Sequence, residues 1–452
     1  MWTLAQAIAK AGGRLQGGDC MFSGVATDSR ADCGGQLFVA LRGERFDGHD
    51  HVAAACRAGA AAAMVDHPLP LGIAQWVVDD TRLGLGRLAA AWRDRFPGRV
   101  VGITGSNGKT TAKEMIAAVL SQVGQVRATR GNLNNDIGMP LTLLGAEDED
   151  FLVLEMGANQ HGEIGYMTRI ARPDVALITN AGRAHLEGFG SLDGVARAKG
   201  EIACGLPHDG VFVFAADSPY GVLWKDLAAG RKVLTFGLDG DADVSAERAS
   251  IRVEWADAGF HTRFVACDRE RRIPISLSLA GEHNVRNALA AAAAALALGI
   301  EPTAVQAGLA AVTPVKGRLC PRRCGALAVI DDSYNANPDS IAAAIEVLVG
   351  LSGRRWLILG DLGELGPDTE RLHREVGEVA RAAGVERLWS VGSLSAAATE
   401  AFGDGARHFD GQGTLIRSLQ AELGAADRVL VKGSRLARME RIVEALCPDG
   451  GH

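Results

Sequence analysis

The sequence "GITGSNGKTT", residues 102–111, connects an apolar run to a segment with helical spacing and good helix formers. The run predicts a short buried strand and the segment predicts a helix, so the glycines would lie in a strand-to-helix turn. In such a turn, free backbone N–H groups and the positive end of the helix dipole receive phosphate groups. Lys109 adds a positive charge for the outer phosphates, and the Thr110 hydroxyl can ligate magnesium.

The spacing differs from the full Walker A motif, because Ile103 occupies the position of the first glycine of that motif. The alternative interpretation is a glycine-rich turn with an exposed lysine. The strand, the glycines, the Lys-Thr pair and the helix together favour binding of ATP or GTP.

Length and composition predict a globular protein of about three domains, since the chain has 452 residues, 47% of them hydrophobic and 22% charged. A net charge of −7 without a basic block argues against nucleic acid as the main partner and favours a small substrate. The longest apolar stretch, residues 288–300, falls short of the roughly 20 residues of a membrane span. Lys10 and Arg14 follow the apolar residues of the amino terminus, unlike in a secretory signal, so we expect a cytoplasmic protein.

The eight cysteines are scattered, and only Cys320 and Cys324 are close enough in sequence to suggest a shared site. A zinc site needs two further ligands at a matching spacing, and the sequence offers none. We therefore expect all eight to be reduced structural thiols.

The chain divides into three predicted α/β domains. Residues 1–97 form a small α/β domain that begins with an amphipathic helix. Residues 98–313 form a domain with the phosphate loop and a mostly parallel sheet. Residues 314–452 alternate strand and helix five times, which is typical of a Rossmann-like, doubly wound sheet. Ligands bind such sheets at the carboxyl ends of the strands, where "DDSYNANPDS", "GDLGELG" and "KGSR" are found.

Several polar residues follow predicted strands of the central part. Glu155 is at the end of the predicted strand "FLVLEMG" and can supply a magnesium ligand beside the phosphate loop, although a solvated strand-end glutamate is the alternative. His185 follows the predicted strand "VALITN" and is either a ligand or a structural histidine. Lys199 has helical neighbours and by itself predicts only an exposed helical lysine. Arg318 lies at a domain junction, where it could reach phosphate or form an interdomain salt bridge.

Together the motifs resemble the Mur ligase family along almost the whole chain. The resemblance rests on "TGSNGKTT", "NLNNDIGMPLTLL", "LEMGANQHGEI", "NAGRAHLEGFGS", "AKGEI", "GEHNVRNALAAAA", "GRL", "DDSYNANPDS", "LGDLGELG" and "VKGSRLARME". "DDSYNANPDS", "LGDLGELG" and "TDSRADCGGQLFVALRGERFDGHD" favour the branch that adds D-alanyl-D-alanine. The implied substrates are D-alanyl-D-alanine and a UDP-N-acetylmuramoyl-tripeptide whose third residue is lysine or diaminopimelate. The implied reaction is ATP-dependent amide formation in peptidoglycan precursor synthesis.

The resemblance also implies roles for individual residues. It implies an amino-terminal domain for the uridine nucleotide, a central ATPase and a carboxyl-terminal domain that closes over the site. The phosphate-binding residues would be Gly105, Ser106, Asn107, Gly108, Lys109, Thr110 and Thr111. Two magnesium ions would be held by Thr110, Glu155, His185 and a carbamylated Lys199. The ATP would also contact Asn284, Asn287, Arg318 and either Asp331 or Asp332. The other substrates would contact Ser29, Arg30, Asn134, Asn135, Asp136, Asn335, Asn337, Lys432 and Ser434.

The catalytic candidates are therefore Lys109, His185, Lys199 and Arg318, in a protein expected to be a monomer. The rival interpretations are another Mur ligase, a folylpolyglutamate synthetase-like ligase, or a nucleotide-binding protein without catalytic activity. A binding protein does not need the two-metal arrangement that Glu155, His185 and Lys199 suggest.

Overall fold

The computed structural model describes residues 2–256, 259–269 and 271–448. Its first part contains the strands β1 (Trp2–Thr3), β2 (Arg14–Gln16), β3 (Met21–Phe22), β4 (Val25–Ala26), β5 (Leu37–Val39), β6 (Arg42–Gly43), β7 (Phe46–Asp47), β8 (Ala62–Val65) and β9 (Ala74–Val77). The helices of this part are α1 (Leu4–Ala11), α2 (Val52–Arg57) and α3 (Thr81–Arg93).

The first part folds around a mostly parallel sheet with the order β2-β9-β8-β5-β4, in which only β2 is antiparallel to its neighbour. The predicted amphipathic helix is α1. Thr3 caps it in a capping box with Gln6, and Leu4 and Ala7 are buried on its inner face. The segment between β5 and β8 contains the β6–β7 hairpin and the helix α2.

The central part contains the strands β10 (Arg99–Thr104), β11 (Val126–Ala128), β12 (Phe151–Glu155), β13 (Val175–Ile178), β14 (Val211–Ala215), β15 (Lys232–Phe236), β16 (Val244–Ala246), β17 (Arg252–Ala256), β18 (Gly259–Asp268) and β19 (Arg271–Leu277). The helices of this part are α4 (Lys109–Leu120), α5 (Gly138–Leu144), α6 (Glu163–Ala171), α7 (Leu186–Phe189), α8 (Leu192–Gly200), α9 (Gly221–Ala228), α10 (Glu282–Ala297) and α11 (Pro302–Ala310).

One sheet runs through the central part in the order β11-β12-β10-β13-β14-β15-β16-β18-β17, with β19 also paired to β18. It is parallel from β11 to β16 and antiparallel beyond. The phosphate loop lies between β10 and α4, as the sequence predicts. Two close approaches fix the position of α4. A Cβ on Gly308 of α11 would collide with the α4 backbone at Val119, and a Cβ on Gly108 would collide with Asn287 of α10.

The third part contains the strands β20 (Cys320–Cys324), β21 (Leu327–Asp332), β22 (Arg354–Gly360), β23 (Arg387–Val391), β24 (Ala406–Phe409) and β25 (Asp427–Lys432). The helices of this part are α12 (Pro338–Val349), α13 (Thr369–Ala382), α14 (Ala396–Phe402), α15 (Gln412–Glu422) and α16 (Glu440–Leu446). The sheet has the order β20-β21-β25-β22-β23-β24. It is parallel except for β20, so the predicted doubly wound architecture is confirmed.

The cysteines give one correction to the sequence analysis. Cys324, at the end of β20, is joined by a disulfide to Cys447, directly after α16, across a sequence separation of 123 residues. The prediction that all eight cysteines are reduced thiols is therefore wrong for this pair. Sequence spacing did not indicate it, because only the packing of α16 beside the sheet brings the two together. Cys320, at the other end of β20, is a free thiol.

Within the described ranges, no helix combines the length and the apolar character that crossing a membrane requires.

Candidate active site

A cleft of about 770 Å³ lies between the phosphate-loop face of the central sheet and the carboxyl ends of β21 and β25. Most of the predicted site residues line it: Ser106, Asn107, Gly108, Lys109, Thr110, Thr111, Asn134, Asn135, Asp136, Glu155, His185, Asn284, Asn287, Arg318, Asp332, Asn335, Asn337 and Lys432. The fold thus gathers residues from the central and the third part around one space. The predicted residues outside this lining are Gly105, Lys199, Asp331, Ser434, Ser29 and Arg30.

The phosphate loop is held open by its glycines and by the next strand. Gly105 and Gly108 have φ angles of 148° and 80°, which residues with a Cβ rarely adopt. Asn180, at the end of β13, accepts a 3.0 Å hydrogen bond from the Ser106 N–H at its carbonyl, and its side-chain oxygen accepts another from the Asn107 N–H. These hydrogen bonds tie the phosphate loop to the segment that follows β13.

Lys109 lies in the centre of this loop. Its ammonium group donates to the carbonyl of Gly105 at 2.6 Å and to that of Ser106 at 3.3 Å. Burial lowers the pKa of Lys109, the positive charge of Arg318 lowers it further, and Glu155 opposes both. Two cations from different domains thus face one small volume, and their mutual repulsion favours a polyanion between them.

Glu155 lies at the end of β12 and is 2% exposed, so it is not the solvated glutamate of the alternative interpretation. Its Oε2 accepts a 2.9 Å hydrogen bond from the Thr110 hydroxyl, and its Oε1 accepts one of 2.8 Å from the Asn134 amide. Magnesium takes oxygen ligands at about 2.0–2.1 Å in octahedral geometry, which places neighbouring ligands about 3 Å apart. The Thr110 and Glu155 oxygens have the chemistry and the separation that one such ion requires.

His185 begins α7 with a φ of 54°. Its Nδ1 lies 2.5 Å from Oε2 of Glu364, a residue of the third part, and this contact lowers the pKa of Glu364. The pairing leaves Nε2 for another partner. Metal-ligating histidines commonly have a carboxylate at the second ring nitrogen, so the arrangement is compatible with the predicted metal ligation.

Lys199 lies on α8, but it is 1% exposed, so the expectation of an exposed helical lysine is wrong. Its ammonium nitrogen has no hydrogen-bond partner among the described residues and lies 5.1 Å from the ring centre of Phe189. The ring of His185 approaches the same phenyl ring, at 6.5 Å between centres. Burial lowers the pKa of Lys199 to about 7, and Lys109 contributes to the shift. An amine with this pKa is about half neutral at pH 7, and the neutral form is a competent nucleophile.

The structure distinguishes Asp331 from Asp332, the two alternatives for one contact to ATP. Asp332 lines the cleft and accepts a 2.5 Å hydrogen bond from Lys432. Asp331 instead accepts a 2.5 Å hydrogen bond from Ser333 and lies outside the cleft lining. Arg318 lies above the ring of Tyr334, with its guanidinium carbon 4.4 Å from the ring centre.

Ser29 and Arg30 lie in the first part, away from the cleft lining. Arg30 is exposed and pairs with Asp28 at 2.7 Å, an exposed contact that lowers the pKa of Asp28 to about 2. Ser434 lies beyond the end of β25 and approaches Gly363.

Two further residues were missed in the sequence analysis, one that lines the cleft and one that contacts a cleft residue. Arg82, in the first turn of α3, lines the cleft and forms an ion pair with Asp136. Glu364 contacts His185. Arg82 belongs to no chemical motif, so only the tertiary structure identifies it. Glu364 belongs to the quoted "GDLGELG", and its position after the carboxyl end of β22 could have indicated a site residue.

Comparison with known proteins shows the same three-part organisation. In chain order, residues 21–92, 103–295 and 317–435 match the Mur ligase family catalytic domain, the Mur ligase middle domain, and the domain described as Mur ligase, glutamate ligase domain.

The relatives include enzymes and solved structures. The chain is 44% identical to UDP-N-acetylmuramoyl-tripeptide--D-alanyl-D-alanine ligase of Escherichia coli (strain K12), with 99% of each chain covered. A crystal structure of MurF from Acinetobacter baumannii superposes with a TM-score of 0.92 at 36% identity, covering 99% of both chains. MurF ligase from Thermotoga maritima in complex with ADP superposes with a TM-score of 0.84 at 29% identity, covering 94% of this chain and 97% of that one.

Proposed function

This chain belongs to the Mur ligase family, and from that membership we propose that it joins D-alanyl-D-alanine to UDP-N-acetylmuramoyl-tripeptide with ATP. The reaction forms an amide bond in the synthesis of a peptidoglycan precursor. The name of the 44% identical Escherichia coli relative supports the choice of substrates, and the ADP in the Thermotoga maritima structure supports the nucleotide.

The observation that carries the proposal is the meeting of Lys109 and Arg318 across the cleft. Lys109 and Arg318 come from different parts of the chain, and their charges are close enough to influence each other. A site of this kind binds the outer phosphates of ATP and stabilises the charge that develops during phosphoryl transfer. The loop geometry supports the assignment of Gly105, Ser106 and Asn107 to the same phosphates.

The chemistry must first activate a carboxylate, because an amine does not displace oxygen from an anionic carboxyl group. A carboxylate oxygen of the tripeptide attacks the γ-phosphorus of ATP. An O–P bond forms, the bond to the β-phosphate oxygen breaks, and ADP leaves. Lys109 and Arg318 offset the repulsion between the carboxylate and the phosphates. The product of this step is an acyl phosphate.

The amino group of D-alanyl-D-alanine, in its neutral form, then attacks the acyl carbonyl. A C–N bond forms, phosphate leaves with the electrons of the C–O bond, and the nitrogen releases a proton. Water would hydrolyse the acyl phosphate, so the site must exclude water while the amine approaches. The third domain forms one wall of the cleft and is placed to do so.

Thr110 and Glu155 would hold a magnesium ion, and their 2.9 Å contact supports this assignment. Magnesium neutralises phosphate charge and orients the transferred group. His185 and Lys199 would support a second ion. The buried Lys199 amine has no hydrogen-bond partner among the described residues, which supports its carbamylation. In that reaction the neutral nitrogen attacks CO₂, a C–N bond forms while the electrons of one C=O π bond move to oxygen, and the nitrogen releases a proton. The product is an anion that can pair with a cation, which an ammonium group cannot do.

The other predicted contacts divide between nucleotide and acceptor. We assign the adenine and ribose end of ATP to Asn284, Asn287 and Asp332, which line the cleft, and prefer Asp332 to the enclosed Asp331. We assign the tripeptide and dipeptide to Asn134, Asn135, Asp136, Asn335, Asn337, Lys432 and Ser434. Ser29 and Arg30 would contact the uridine nucleotide from the first domain. The predicted domain ranges 1–97, 98–313 and 314–452 belong to the same proposal, as do a monomeric state and a cytoplasmic location.

The test is an acceptor comparison with the purified full-length chain. With ATP, magnesium and the UDP-linked tripeptide, phosphate release should depend on D-alanyl-D-alanine and should equal the amide formed. Diaminopimelate, lysine and glutamate serve as alternative acceptors. Amide formation with one of these instead of D-alanyl-D-alanine would identify a different ligase, and nucleotide binding without acceptor-dependent turnover would overturn the enzyme assignment.

A further inference from the structure

Arg183 connects the central domain to two helices of the third domain. It lies in the turn after β13, two residues before His185. Its Nε donates to Oδ1 of Asp339 at 2.7 Å, and its backbone N–H donates to Oδ2 of the same carboxylate at 2.7 Å. Its Nη1 donates to Oε1 of Glu375 at 2.5 Å. Asp339 is in the first turn of α12 and Glu375 is in α13.

The turn that carries Arg183 is also bonded to the phosphate loop. The Ser106 hydroxyl donates to the carbonyl of Gly182 at 3.0 Å, and the N–H of Gly182 donates to that hydroxyl at 2.9 Å. Beside it, the Asn337 amide, which caps α12, donates to Oδ1 of Asn107 at 2.7 Å. A single short turn therefore contacts the phosphate loop on one side and the third domain on the other.

We propose that Arg183 is a positioning residue that fastens the third domain over the cleft and aligns the turn that carries His185. We call the group Arg183, Asp339 and Glu375 the clasp. The inference rests on the proposed function, since its consequence is the exclusion of water from the acyl phosphate. No assigned phosphate, metal or substrate contact includes Arg183.

The geometry of the clasp fits this role better than a role in stabilising either domain alone. Arg183 follows a strand of the central sheet, whereas its partners lie on helices of the third domain, 156 and 192 positions away in sequence. The three side chains are about one-third exposed, at 32%, 33% and 31%, so closure buries them only partly. Such partly exposed ion pairs are individually weak, which suits a contact that must break in every catalytic cycle.

A matched control exists in the same helix. Arg371 of α13 lies 3.6 Å from Oε2 of Glu375, but this pair stays within one helix. Arg371→Ala therefore removes the same charge from the same carboxylate without loosening the domain contact. Arg183→Ala removes the side-chain contacts and keeps the backbone bond to Asp339, while Arg183→Lys retains the charge and loses the forked geometry. Glu375→Gln weakens the clasp from the other domain.

The experiment measures phosphate released per amide formed, with full-length protein and saturating substrates. We expect Arg183→Ala to raise this ratio about 3-fold or more, from the loss of two ion-pair contacts. Glu375→Gln should raise it less, Arg183→Lys should lie between wild type and Arg183→Ala, and Arg371→Ala should match wild type. An unchanged ratio in folded Arg183→Ala overturns the inference, as does an equal rise in Arg371→Ala.

A second measurement separates this inference from the proposed function. Small-angle X-ray scattering of the ADP complex should give a larger radius of gyration for Arg183→Ala than for wild type or Arg371→Ala. This result does not depend on which amine the enzyme uses. Failure of wild type to use D-alanyl-D-alanine overturns the proposed function, whereas identical scattering of all three proteins overturns the clasp.

Discussion

Asp332 and Lys432 are register partners on the adjacent parallel strands β21 and β25, and their side chains form a 2.5 Å ion pair at the cleft. The side chains are 11% and 3% exposed, so both charges are largely withdrawn from water. A pair in this environment depends on both of its members, because the survivor of a single substitution is a buried and uncompensated charge.

We therefore expect Asp332→Asn and Lys432→Met each to lower the free energy of unfolding by about 3–5 kcal/mol. The double variant should cost clearly less than the sum of the two. Urea unfolding of the four proteins gives the coupling energy. If the two losses in free energy of unfolding are additive and each is under about 1 kcal/mol, the pair contributes no more than an exposed salt bridge does.

Replacing Lys109 by Ala should lower the turnover rate by about 100-fold or more with the fold intact, because a stabiliser of transition-state charge is lost. The measurement is the steady-state rate of amide formation, with circular dichroism to check folding. Lys225→Ala, at an exposed position of α9, is the control and should behave like wild type. A Lys109→Ala protein that keeps more than about a tenth of the wild-type rate would contradict the assigned role.

Glu155→Gln should reduce turnover by about 100-fold or more and raise the magnesium concentration needed for half-maximal rate, since a neutral amide is a poorer ligand. Thr110→Ser keeps the hydroxyl and should retain most of the activity. Glu114→Gln is the control, because Glu114 also lines the cleft but pairs with Lys113 at 2.7 Å. An unchanged magnesium dependence in Glu155→Gln would exclude it as a ligand.

The buried amine of Lys199 predicts a pH dependence of stability. Its pKa is about 7 in the folded chain and 10.5 when unperturbed. Between these values the unfolded chain binds the additional proton, so stability rises with pH over this window. Lys199→Met lacks this pH-dependent contribution to the free energy of unfolding. In CO₂-free buffer its stability advantage over wild type should be larger at pH 6 than at pH 10, as urea unfolding at both values can show.

The same residue offers a spectroscopic test of carbamylation. In ¹³C-labelled bicarbonate, wild type should show a carbamate carbon signal that Lys199→Met lacks. If the two spectra are identical, Lys199 is not carbamylated under those conditions.

The disulfide between Cys324 and Cys447 predicts a thiol count. The unfolded, unreduced chain should expose six titratable thiols, at the six free cysteines, and the reduced chain should expose eight. Cys447→Ser should lower the free energy of unfolding of unreduced protein by about 2–4 kcal/mol, because the closed loop is long. Cys320→Ser, in the same strand, is the control. Eight reactive thiols before reduction would contradict the pairing.

The five strand-helix alternations predicted for residues 314–452 correspond to β21 to β25. The strand β20, "CPRRC", has no apolar run and was missed. The helix α3 was missed because Gly84 and Gly86 lower the helical signal. Tertiary packing explains why glycine occurs in this helix, since a Cβ on Gly86 would collide with the hydroxyl of Tyr166. The antiparallel strands after β16 were also missed, although β18 alternates buried and more exposed residues in the manner of a strand.

For the site, local sequence identifies groups whose role depends on their own strand or loop, such as Lys109 and Glu155. It does not reveal the burial of Lys199, which follows from the packing of α8. Nor does it reveal Arg82 or Arg183, whose partners are distant in sequence. The environment that shifts a pKa or joins two domains is created by the tertiary structure.

The enclosure of α4 by α10 and α11 determines how this enzyme could be inhibited. The phosphate-binding turn and α4 pack closely against these helices, since a Cβ at Gly108 would collide with α10 and a Cβ at Gly308 would collide with α4. A compound that binds only at the phosphate loop would compete with ATP. A compound that binds beneath α12 would instead leave ATP bound and block the steps that follow nucleotide binding.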